Sequence, residues 1–199
     1  MVSRMTWLWF VVSVSIVGLP AISGAGTVQL PQTGLAVCVN AQGVEIACAN
    51  TGQDGDIRSG LAWPDPRFQD NGDNTMTDAV TGLMWSKDAG TPANGTCTGG
   101  AMAWQAALNY VACLNGNNYL GHSDWRLPNI NEIESLAHIG VASSSAWLTS
   151  QGFINTGASY WSSTTYAAST GYAWYIDLSG NRLSSYYKIN SILTWPVRQ

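Results

Sequence analysis

From Tyr160 to the C terminus, apolar and polar side chains alternate with a period of two, which is the pattern of half-buried β-strands. The segments SYWSSTTY, GYAWYIDLSG, NRLSSYYK and SILTWPVRQ fit this pattern, and residues 179–181 supply a Ser-Gly-Asn turn between two of them. Strands joined by short turns pair with their neighbours, so the sequence predicts successive antiparallel strands here. Four side chains of the second strand would share one face: Tyr172, Trp174, Ile176 and Leu178.

An amphipathic helix is predicted upstream of this sheet, within residues 99–116. Trp104, Leu108 and Val111 recur there at i, i+4 and i+7, and several alanines favour helix. The pair Asn115-Gly116 then supplies a stop signal. We expect the three periodic side chains to face the core.

A second helix is predicted to begin at Asn129, whose side chain can cap the first turn. Glu132, three residues later, completes a capping box, and Gly140 ends the helix. Its buried stripe would consist of Ile133, Leu136 and Ala137. Together with three short strands predicted within residues 67–85, these two helices and the C-terminal strands indicate the α+β class.

The stretch DNGDNTMTD, residues 70–78, is rich in oxygen-bearing side chains and raises the question of calcium. An EF-hand loop counted from its first aspartate needs an oxygen ligand at position three, glycine at position six and glutamate at position twelve. The chain has Gly72, Thr75 and Thr81 at those positions. A hairpin turn with Asp73-Asn74 at its tip explains the composition, because these residues tolerate positive φ. We therefore expect no metal site here, with an incidental cation as the alternative.

Four cysteines imply two disulfides formed in an oxidising compartment, and four cysteines permit three pairings. Spacing favours Cys38 with Cys48, because both lie equally far from Gly43, where a hairpin can turn. Cys97 would then pair with Cys113 and tie the loop before the first helix to a point along that helix. Metal binding by the cysteines is disfavoured, because the chain has no CxxC motif and both histidines are distant in sequence.

The first 25 residues have the features of a signal peptide. Arg4 precedes a short apolar run at residues 7–20, and Ser23 and Ala25 fit the −3 and −1 positions of a cleavage site. A retained membrane anchor is the alternative, although a spanning helix needs about 20 apolar residues. We expect removal of residues 1–25 to leave no membrane span and a protein that is secreted, periplasmic or on the cell surface.

The segment that follows, residues 26–60, is polar and glycine-rich. It has too little apolar content for a core of its own. We expect a small disulfide-stapled β-hairpin extension, packed on or tethered to a main domain that spans residues 61–199.

Charge and side-chain chemistry point away from several function classes. The net charge is −4 and no basic run occurs, which argues against nucleic acid as a partner. Glu132 and Glu134 would point to different sides of a helix, so these two carboxylates could not act together on one substrate. His122 and His138 have no companion ligand at a metal spacing, and His138 would lie near a helix C terminus, where a charged imidazole is favoured. The predicted disulfides leave no thiol nucleophile, so we expect no enzymatic activity and no cofactor.

Five blocks of the main domain carry a family resemblance. They are AWPDPRFQDNGDNTMTDAVTGLMWSKD (62–88), MAWQAALNYVACLN (102–115), SDWRLPNINEIESL (123–136), YWSSTTYA (160–167) and TWPVR (194–198). In this order they resemble the Lcl C-terminal domain family. The resemblance covers roughly residues 61–199, and residues 26–60 look like an extension found ahead of this domain in some members.

The resemblance implies a fold related to the C-type lectin-like domain, an α+β scaffold with two helices and a twisted antiparallel sheet. One relative is a collagen-like bacterial adhesin whose C-terminal domain trimerises and binds sulfated glycans. This chain departs from that pattern, because it is acidic, has only Lys87 and Lys188 as lysines, and lacks Gly-X-Y repeats. Residues 127–129, Leu-Pro-Asn, also lack the acidic or amide first residue that a calcium-dependent sugar site uses.

Tyrosines interleaved with serine and asparagine indicate a candidate binding surface, in SSYYKINS (184–191) and TTYAASTGYAWY (164–175). This composition offers stiff contact area together with adaptable hydrogen bonds, and sugar rings stack on such aromatics. The candidate ligand-binding residues are Tyr166, Tyr172, Tyr186 and Tyr187. An ordinary exposed sheet face is the alternative.

The sequence thus predicts an exported, non-enzymatic recognition or adhesion domain that binds a glycan or a protein at the bacterial envelope or outside the cell. A structural or assembly module of a surface complex, with no small ligand, is the alternative. Either function is compatible with a homo-oligomer.

Overall fold

The backbone combines antiparallel sheets with short helices. A computed structural model describes residues 30–199, so the predicted signal peptide, residues 1–25, lies outside the described residues. Three antiparallel sheets and four α-helices are present in the described range, which confirms the α+β class. No helix in that range is long and apolar enough to cross a membrane.

A small hairpin lies near the start of the described chain. Strands β1 (Cys38–Val39) and β2 (Glu45–Ile46) pair antiparallel around a turn at Gly43, which has a φ of 75°. The predicted Cys38–Cys48 disulfide closes this hairpin, with the two Cα atoms 5.1 Å apart. A one-turn helix, α1 (Asp54–Ile57), follows.

The extension that contains this hairpin is packed on the main body. The Ile139 N–H donates to the Thr33 carbonyl at 2.9 Å. Gly34 lies so close to His138 that an added Cβ would stand 2.6 Å from the imidazole ring. Residues 33 and 34 therefore fix the extension to the loop that contains His138.

The three strands predicted within residues 67–85 are present. They are β3 (Phe68–Asp70), β4 (Thr75–Asp78) and β5 (Met84–Ser86), each antiparallel to the next. The turn between β3 and β4 contains Asn74 at a φ of 67°, as expected for a tight hairpin. The DNGDNTMTD stretch thus consists of the end of β3, a four-residue connection at residues 71–74, and β4.

Helix α2 (Trp104–Gly116) ends at the predicted stop signal. Its fully buried side chains are Ala107, Tyr110, Val111 and Leu114. Trp104 and Leu108 are only half-buried, so the buried stripe is rotated from the predicted one. The predicted Cys97–Cys113 disulfide ties the helix to the preceding loop, with the Cα atoms 5.7 Å apart.

Helix α3 (Ile130–Glu134) begins with the predicted capping box. The Asn129 side chain accepts from the Glu132 N–H at 3.0 Å, and the Glu132 carboxylate accepts from the Asn129 N–H at 2.8 Å. These reciprocal bonds satisfy two backbone donors that a helix start leaves free. Ile133 and Leu136 are fully buried, as predicted, and Ala137 is half-buried.

The helix ends at Glu134 and not at Gly140, which corrects the prediction. The Ser135 carbonyl accepts from the buried Arg67 guanidinium at 2.7 Å, and the Ile139 N–H, which would have continued the helix, bonds to the extension. Tertiary partners therefore take the groups that a longer helix needs.

Three helical segments are additional to the prediction, and one of them is the one-turn helix α1 in the extension. Helix α4 (Ser144–Ser150) starts at Ser143, whose hydroxyl accepts from the Ala146 N–H, and it buries Leu148. A short 3-10 turn covers Tyr119–Gly121.

The C-terminal strands form a second sheet in the order β6 (Ser159–Thr165), β7 (Tyr172–Asp177) and β8 (Arg182–Tyr187). Both pairings are antiparallel, as predicted, and a register irregularity interrupts the β6–β7 pair. Asn181, at a φ of 51°, forms the predicted turn before β8. β8 is the edge strand of this sheet.

The last predicted strand belongs to the first sheet and not to the second. Strand β9 (Val197–Arg198) pairs with β5. Trp195 explains this placement, because its fully buried ring packs 5.5 Å from that of Trp85 and its Nε1–H donates to the Ser86 carbonyl at 2.8 Å. The C terminus therefore closes the core at the first sheet.

Buried side chains form two clusters on opposite faces of the second sheet. One contains Tyr160 and Ile176 together with the aromatic residues of the first sheet. The other contains Trp161 and Ala173 together with helix α2. Both faces of β6 and β7 are thus covered in part, whereas every residue of β8 except Ser185 is exposed.

Candidate functional site

The register between β7 and β8 decides which aromatic side chains share a face. Tyr172 lies opposite Tyr187, and Trp174 lies opposite Ser185. Directly opposite residues of an antiparallel pair project to the same side, so Tyr172, Trp174 and Tyr187 lie on one face. Tyr166, just after β6, packs its ring against Trp174. We call this group the tyrosine face, and its members are Tyr166, Tyr172, Trp174 and Tyr187.

The rings of the tyrosine face lie in two contacting pairs. The Tyr172 and Tyr187 centroids are 4.0 Å apart with an interplanar angle of 33°, while Tyr166 meets Trp174 edge-on at 5.2 Å and 85°. Tyr187 is 51% exposed and the other three side chains are half-buried. The tilted Tyr172–Tyr187 pair presents ring area to solvent, and Trp174 lies on the same face two residues further along β7.

The neighbouring Tyr187 also affects the ionisation of Tyr172. A hydrogen bond with the Tyr187 hydroxyl raises the pKa of Tyr172 above its ordinary value. Tyr172 is therefore a neutral phenol across the physiological pH range, with an ordinary value of about 10 as the lower limit. Tyr172 offers a ligand an uncharged donor and acceptor next to aromatic carbon.

The strands place no charge on this face. Its side chains from β7 and β8 are Tyr172, Trp174, Ile176, Leu183, Ser185 and Tyr187. The charged residues of these strands, Asp177 and Arg182, lie opposite each other on the other face and pair at 3.0 Å. The tyrosine face is therefore apolar and hydroxyl-bearing, and an uncharged ligand matches it.

Tyr186, the fourth sequence-predicted ligand residue, lies on the opposite face of the sheet. It is paired with Ala173, and its ring lies 5.7 Å from that of Tyr175 and 6.4 Å from that of Trp161. Nearby, the Lys188 ammonium stands 4.0 Å from the Trp104 ring centroid. The structure thus brings Tyr166, Tyr172 and Tyr187 together and separates Tyr186 from them.

Trp174 belongs to the tyrosine face although it was not among the predicted ligand residues. The signal for it was present in the sequence, since a period of two puts Tyr172 and Trp174 on the same side of a strand. The same alternation separates neighbours 186 and 187.

A cleft opens at the other end of this sheet face, where Ile176 and Leu183 contribute to its wall. It has a volume of about 420 Å³ and is bounded by helix α3 and residues 30–33. Asn131 and Glu134 line it from α3. The cleft and the tyrosine face are therefore successive parts of one side of the sheet.

The two histidines are in different environments, and His138 does not have the helix-end setting predicted for it. The His138 ring packs edge-on between Trp63 and Trp147, each 4.9 Å away, and its Nδ1 accepts from the Gly140 N–H. Burial lowers the pKa of His138, so its imidazole is neutral, in contrast to the charged form expected at a helix C terminus. His122 lies 6.0 Å from Trp125.

Two of the carboxylates discussed in the sequence analysis have structural partners. Glu132 pairs with Arg126 at 2.6 Å in addition to its capping role, and Asp70 pairs with Lys87 at 2.5 Å. Between residues 30 and 199, no three His, Cys, Asp or Glu side chains are grouped so that they could hold a metal ion.

The family comparison covers the part of the chain that carries this site. A family model described as the Lcl C-terminal domain matches residues 74–198. No curated protein matches the chain. Because the matched segment is more than half of the sequence, the chain belongs to the Lcl C-terminal domain family, as the sequence blocks predicted. The match includes all three strands of the second sheet.

Proposed function

We propose that this chain is an exported recognition domain that binds a glycan or a protein at the bacterial envelope or outside the cell. One observation carries the proposal: aromatic rings of the kind that fill cores lie instead on a sheet surface, with Tyr187 51% exposed and stacked on Tyr172. Aromatic residues supply most of the energy at binding surfaces because they bury large areas at low entropic cost.

An uncharged glycan is the ligand that suits the tyrosine face best. The apolar side of a pyranose ring packs on an aromatic ring, and the Tyr172, Tyr187 and Ser185 hydroxyls can exchange hydrogen bonds with sugar hydroxyls. The face has no cation for a sulfate group, and the chain as a whole carries a net charge of −4. Binding of a sulfated glycan at this face is therefore disfavoured on charge.

The fold we propose is C-type lectin-like. Family membership supports it, and so does an α+β architecture in which the terminal strand returns to the first sheet. The chain does not have the sugar-site tripeptide of calcium-dependent lectins, so the recognition we propose is calcium-independent.

The two disulfides of the chain support the proposed export. One disulfide closes the N-terminal hairpin and the other ties α2 to the loop before it, and such bonds persist in oxidising compartments. The predicted signal peptide would deliver the chain there, in a secreted, periplasmic or surface-bound form.

The domain is proposed to act by binding and not by catalysis. Glu132 is engaged in a capping box and an ion pair, and burial holds His138 neutral. Turnover of peptidoglycan or polysaccharide by the purified protein would contradict this part of the proposal.

Assembly without a small ligand is the second candidate function. The exposed outer edge of β8 favours it, because a free strand edge is a template for pairing with another chain.

A glycan array with residues 26–199 separates the two functions. We expect the protein to bind one or more uncharged glycans and the double variant Tyr172→Ala/Tyr187→Ala to lose that binding with its melting temperature nearly unchanged. Tyr186→Ala is the matched control on the opposite face and should bind like the original protein. If the protein bound no glycan on the array and self-associated in light scattering, the assembly function alone would be favoured.

A further inference from the structure

The outer edge of β8 has a defined set of free backbone groups. The Lys188 N–H donates to the Gly171 carbonyl at 2.9 Å, which makes these two residues a hydrogen-bonded pair. Hydrogen-bonded and non-bonded pairs alternate along antiparallel strands. In the observed register, β8 therefore bonds to β7 through residues 182, 184, 186 and 188.

The residues between them direct their N–H and carbonyl groups away from the sheet. These residues are Leu183, Ser185 and Tyr187. The Tyr187 carbonyl accepts from the Asn190 N–H at 2.9 Å. Within residues 30–199, the other outward groups of these three residues meet no hydrogen-bond partner. They form a regular row along one straight strand, since the β7–β8 register has no bulge.

This edge lacks the features that normally prevent strand pairing. Edge strands are usually protected by proline, a bulge or a charge in mid-strand. Residues 183–187 read LSSYY, and the flanking charges Arg182 and Lys188 lie only at the two ends. Such an edge accepts another strand unless something covers it.

We propose that the β8 strands of two copies of this chain pair antiparallel across a two-fold axis that passes midway between their two Ser185 residues. In this register Ser185 lies opposite itself, and Leu183 of each copy lies opposite Tyr187 of the other. All three outward-facing residues then meet outward-facing residues, so their free N–H and carbonyl groups bond to each other. The Tyr187 carbonyl, which already accepts from the Asn190 N–H, would accept a second hydrogen bond. A shift by one residue would place outward groups opposite inward ones and lose these bonds.

Side chains favour this same register. Leu183 is 39% exposed and Tyr187 is 51% exposed, so each copy brings an uncovered apolar side chain to the ring of the other. At the ends, Arg182 lies opposite Lys188 of the second copy. Each of these cations already has a partner in its own chain, because Arg182 pairs with Asp177 and Lys188 donates to Thr165 at 2.8 Å. The dimer should therefore become modestly more stable at higher salt concentration, because salt screens the repulsion between Arg182 and Lys188 of the second copy.

The symmetry has a consequence for binding that rests on the proposed function. A two-fold axis perpendicular to the sheet keeps both tyrosine faces on the same side, and it brings Leu183 of the second copy beside Tyr187. Two copies would then present one continuous aromatic surface across six strands to a long or repetitive ligand.

Lysine placed at two adjacent positions tests the pairing directly. Ser185→Lys puts two ammonium groups opposite each other on the axis, whereas Ser184→Lys faces the other side of the sheet and lies opposite Tyr186. We expect the original protein, residues 26–199, to show concentration-dependent dimers in sedimentation and light scattering without any ligand. Ser185→Lys should raise the dimer dissociation constant at least about tenfold, and Ser184→Lys should change it less than about threefold.

A cysteine at the axis gives a second, independent measurement. Opposed Cα atoms in a hydrogen-bonded pair are about 5.5 Å apart, within disulfide range, so Ser185→Cys should form a covalent dimer under mild oxidation. Ser184→Cys is the control and should stay largely monomeric on a denaturing gel. A protein that remains monomeric at millimolar concentration, or a dimer that Ser185→Lys leaves intact, would overturn the proposal. Neither result depends on whether a glycan binds.

Discussion

Aromatic rings occupy two regions of this molecule in different ways. Around the first sheet, Trp195 meets Phe153 edge-on at 5.0 Å and 89°, and Trp85 at 5.5 Å and 64°, with all three rings fully buried. On the tyrosine face, Tyr172 and Tyr187 lie at 4.0 Å with a tilt of 33°, and Tyr187 is half-exposed. Aromatic side chains are therefore fully buried in the first region and partly exposed to solvent in the second.

The difference is one of packing partners. Edge-to-face contacts let each core ring be surrounded on all sides, which gives the largest burial per ring. Tyr172 on β7 and Tyr187 on the edge strand β8 cover each other only along one side, and their outer surfaces meet water. Removing a core ring should thus cost folding free energy, whereas removing a surface ring should cost ligand binding.

Trp195→Ala should have the largest effect on stability. It deletes a fully buried indole and the hydrogen bond to the Ser86 carbonyl, so we expect the free energy of unfolding to fall by about 3–5 kcal/mol. Denaturant unfolding followed by circular dichroism measures this change. A loss below about 1 kcal/mol would mean that the region does not form the tight core described above.

Asp78→Asn should cost somewhat less, about 2–3 kcal/mol. Asp78 and Arg67 are 0% and 2% exposed and pair at 2.8 Å, and the Arg67 guanidinium also stands 4.5 Å from the Trp63 ring. The asparagine leaves a buried cation without a full counter-charge. Arg182→Ala, which breaks an exposed pair, is the control and should change the free energy of unfolding by less than about 1 kcal/mol. Similar losses of unfolding free energy in both variants would contradict the distinction between a buried ion pair in the core and an exposed ion pair on the second sheet.

Tyr187→Ala should barely affect folding, with a loss of about 0.5–1 kcal/mol from the tyrosine pair. Thermal unfolding of Tyr187→Ala beside Trp195→Ala compares the two aromatic regions on one scale. If the two variants lost equal stability, the tyrosine face would be a structural surface.

The smallest expected effect concerns His138, and it is a change in how folding stability depends on pH. Its pKa is lowered in the folded protein by burial, with the nearby Arg67 charge acting in the same direction. The unfolded chain therefore binds the proton more readily, so stability is fully present above about pH 6.5 and falls as the pH drops below that value. We expect the midpoint of thermal unfolding to decrease between pH 7 and pH 5, and His138→Gln to reduce this dependence. An increase in stability over the same range would contradict the neutral imidazole.

Local signals predicted much of this structure. The capping box of Asn129 and Glu132, the hairpin at Gly43 and both disulfides depend on residues close in sequence, and each is present. Alternation in the C-terminal half also gave the right strands for β6, β7 and β8. These features need only short-range geometry.

Features that depend on distant partners were not predictable in the same way. The end of α3 is set by Arg67 and by the extension, and the position of β9 is set by Trp195 inserting beside β5. Helix α4 has a serine-rich sequence with weak helix propensity and is held by its buried Leu148. Grouping Tyr186 with Tyr187 overlooked a local rule, because adjacent strand residues point to opposite faces.

Titration of a glycan identified on the array, against single variants on the two faces, tests the central claim most directly. Tyr187→Ala removes the exposed half of the stacked pair, whereas Tyr186→Ala removes an equally large side chain from the other face of the same strand. The account predicts that Tyr187→Ala weakens binding at least about tenfold and that Tyr186→Ala weakens it less than about threefold. Equal losses in both variants, or a larger loss in Tyr186→Ala, would contradict the assignment of the tyrosine face as the binding surface.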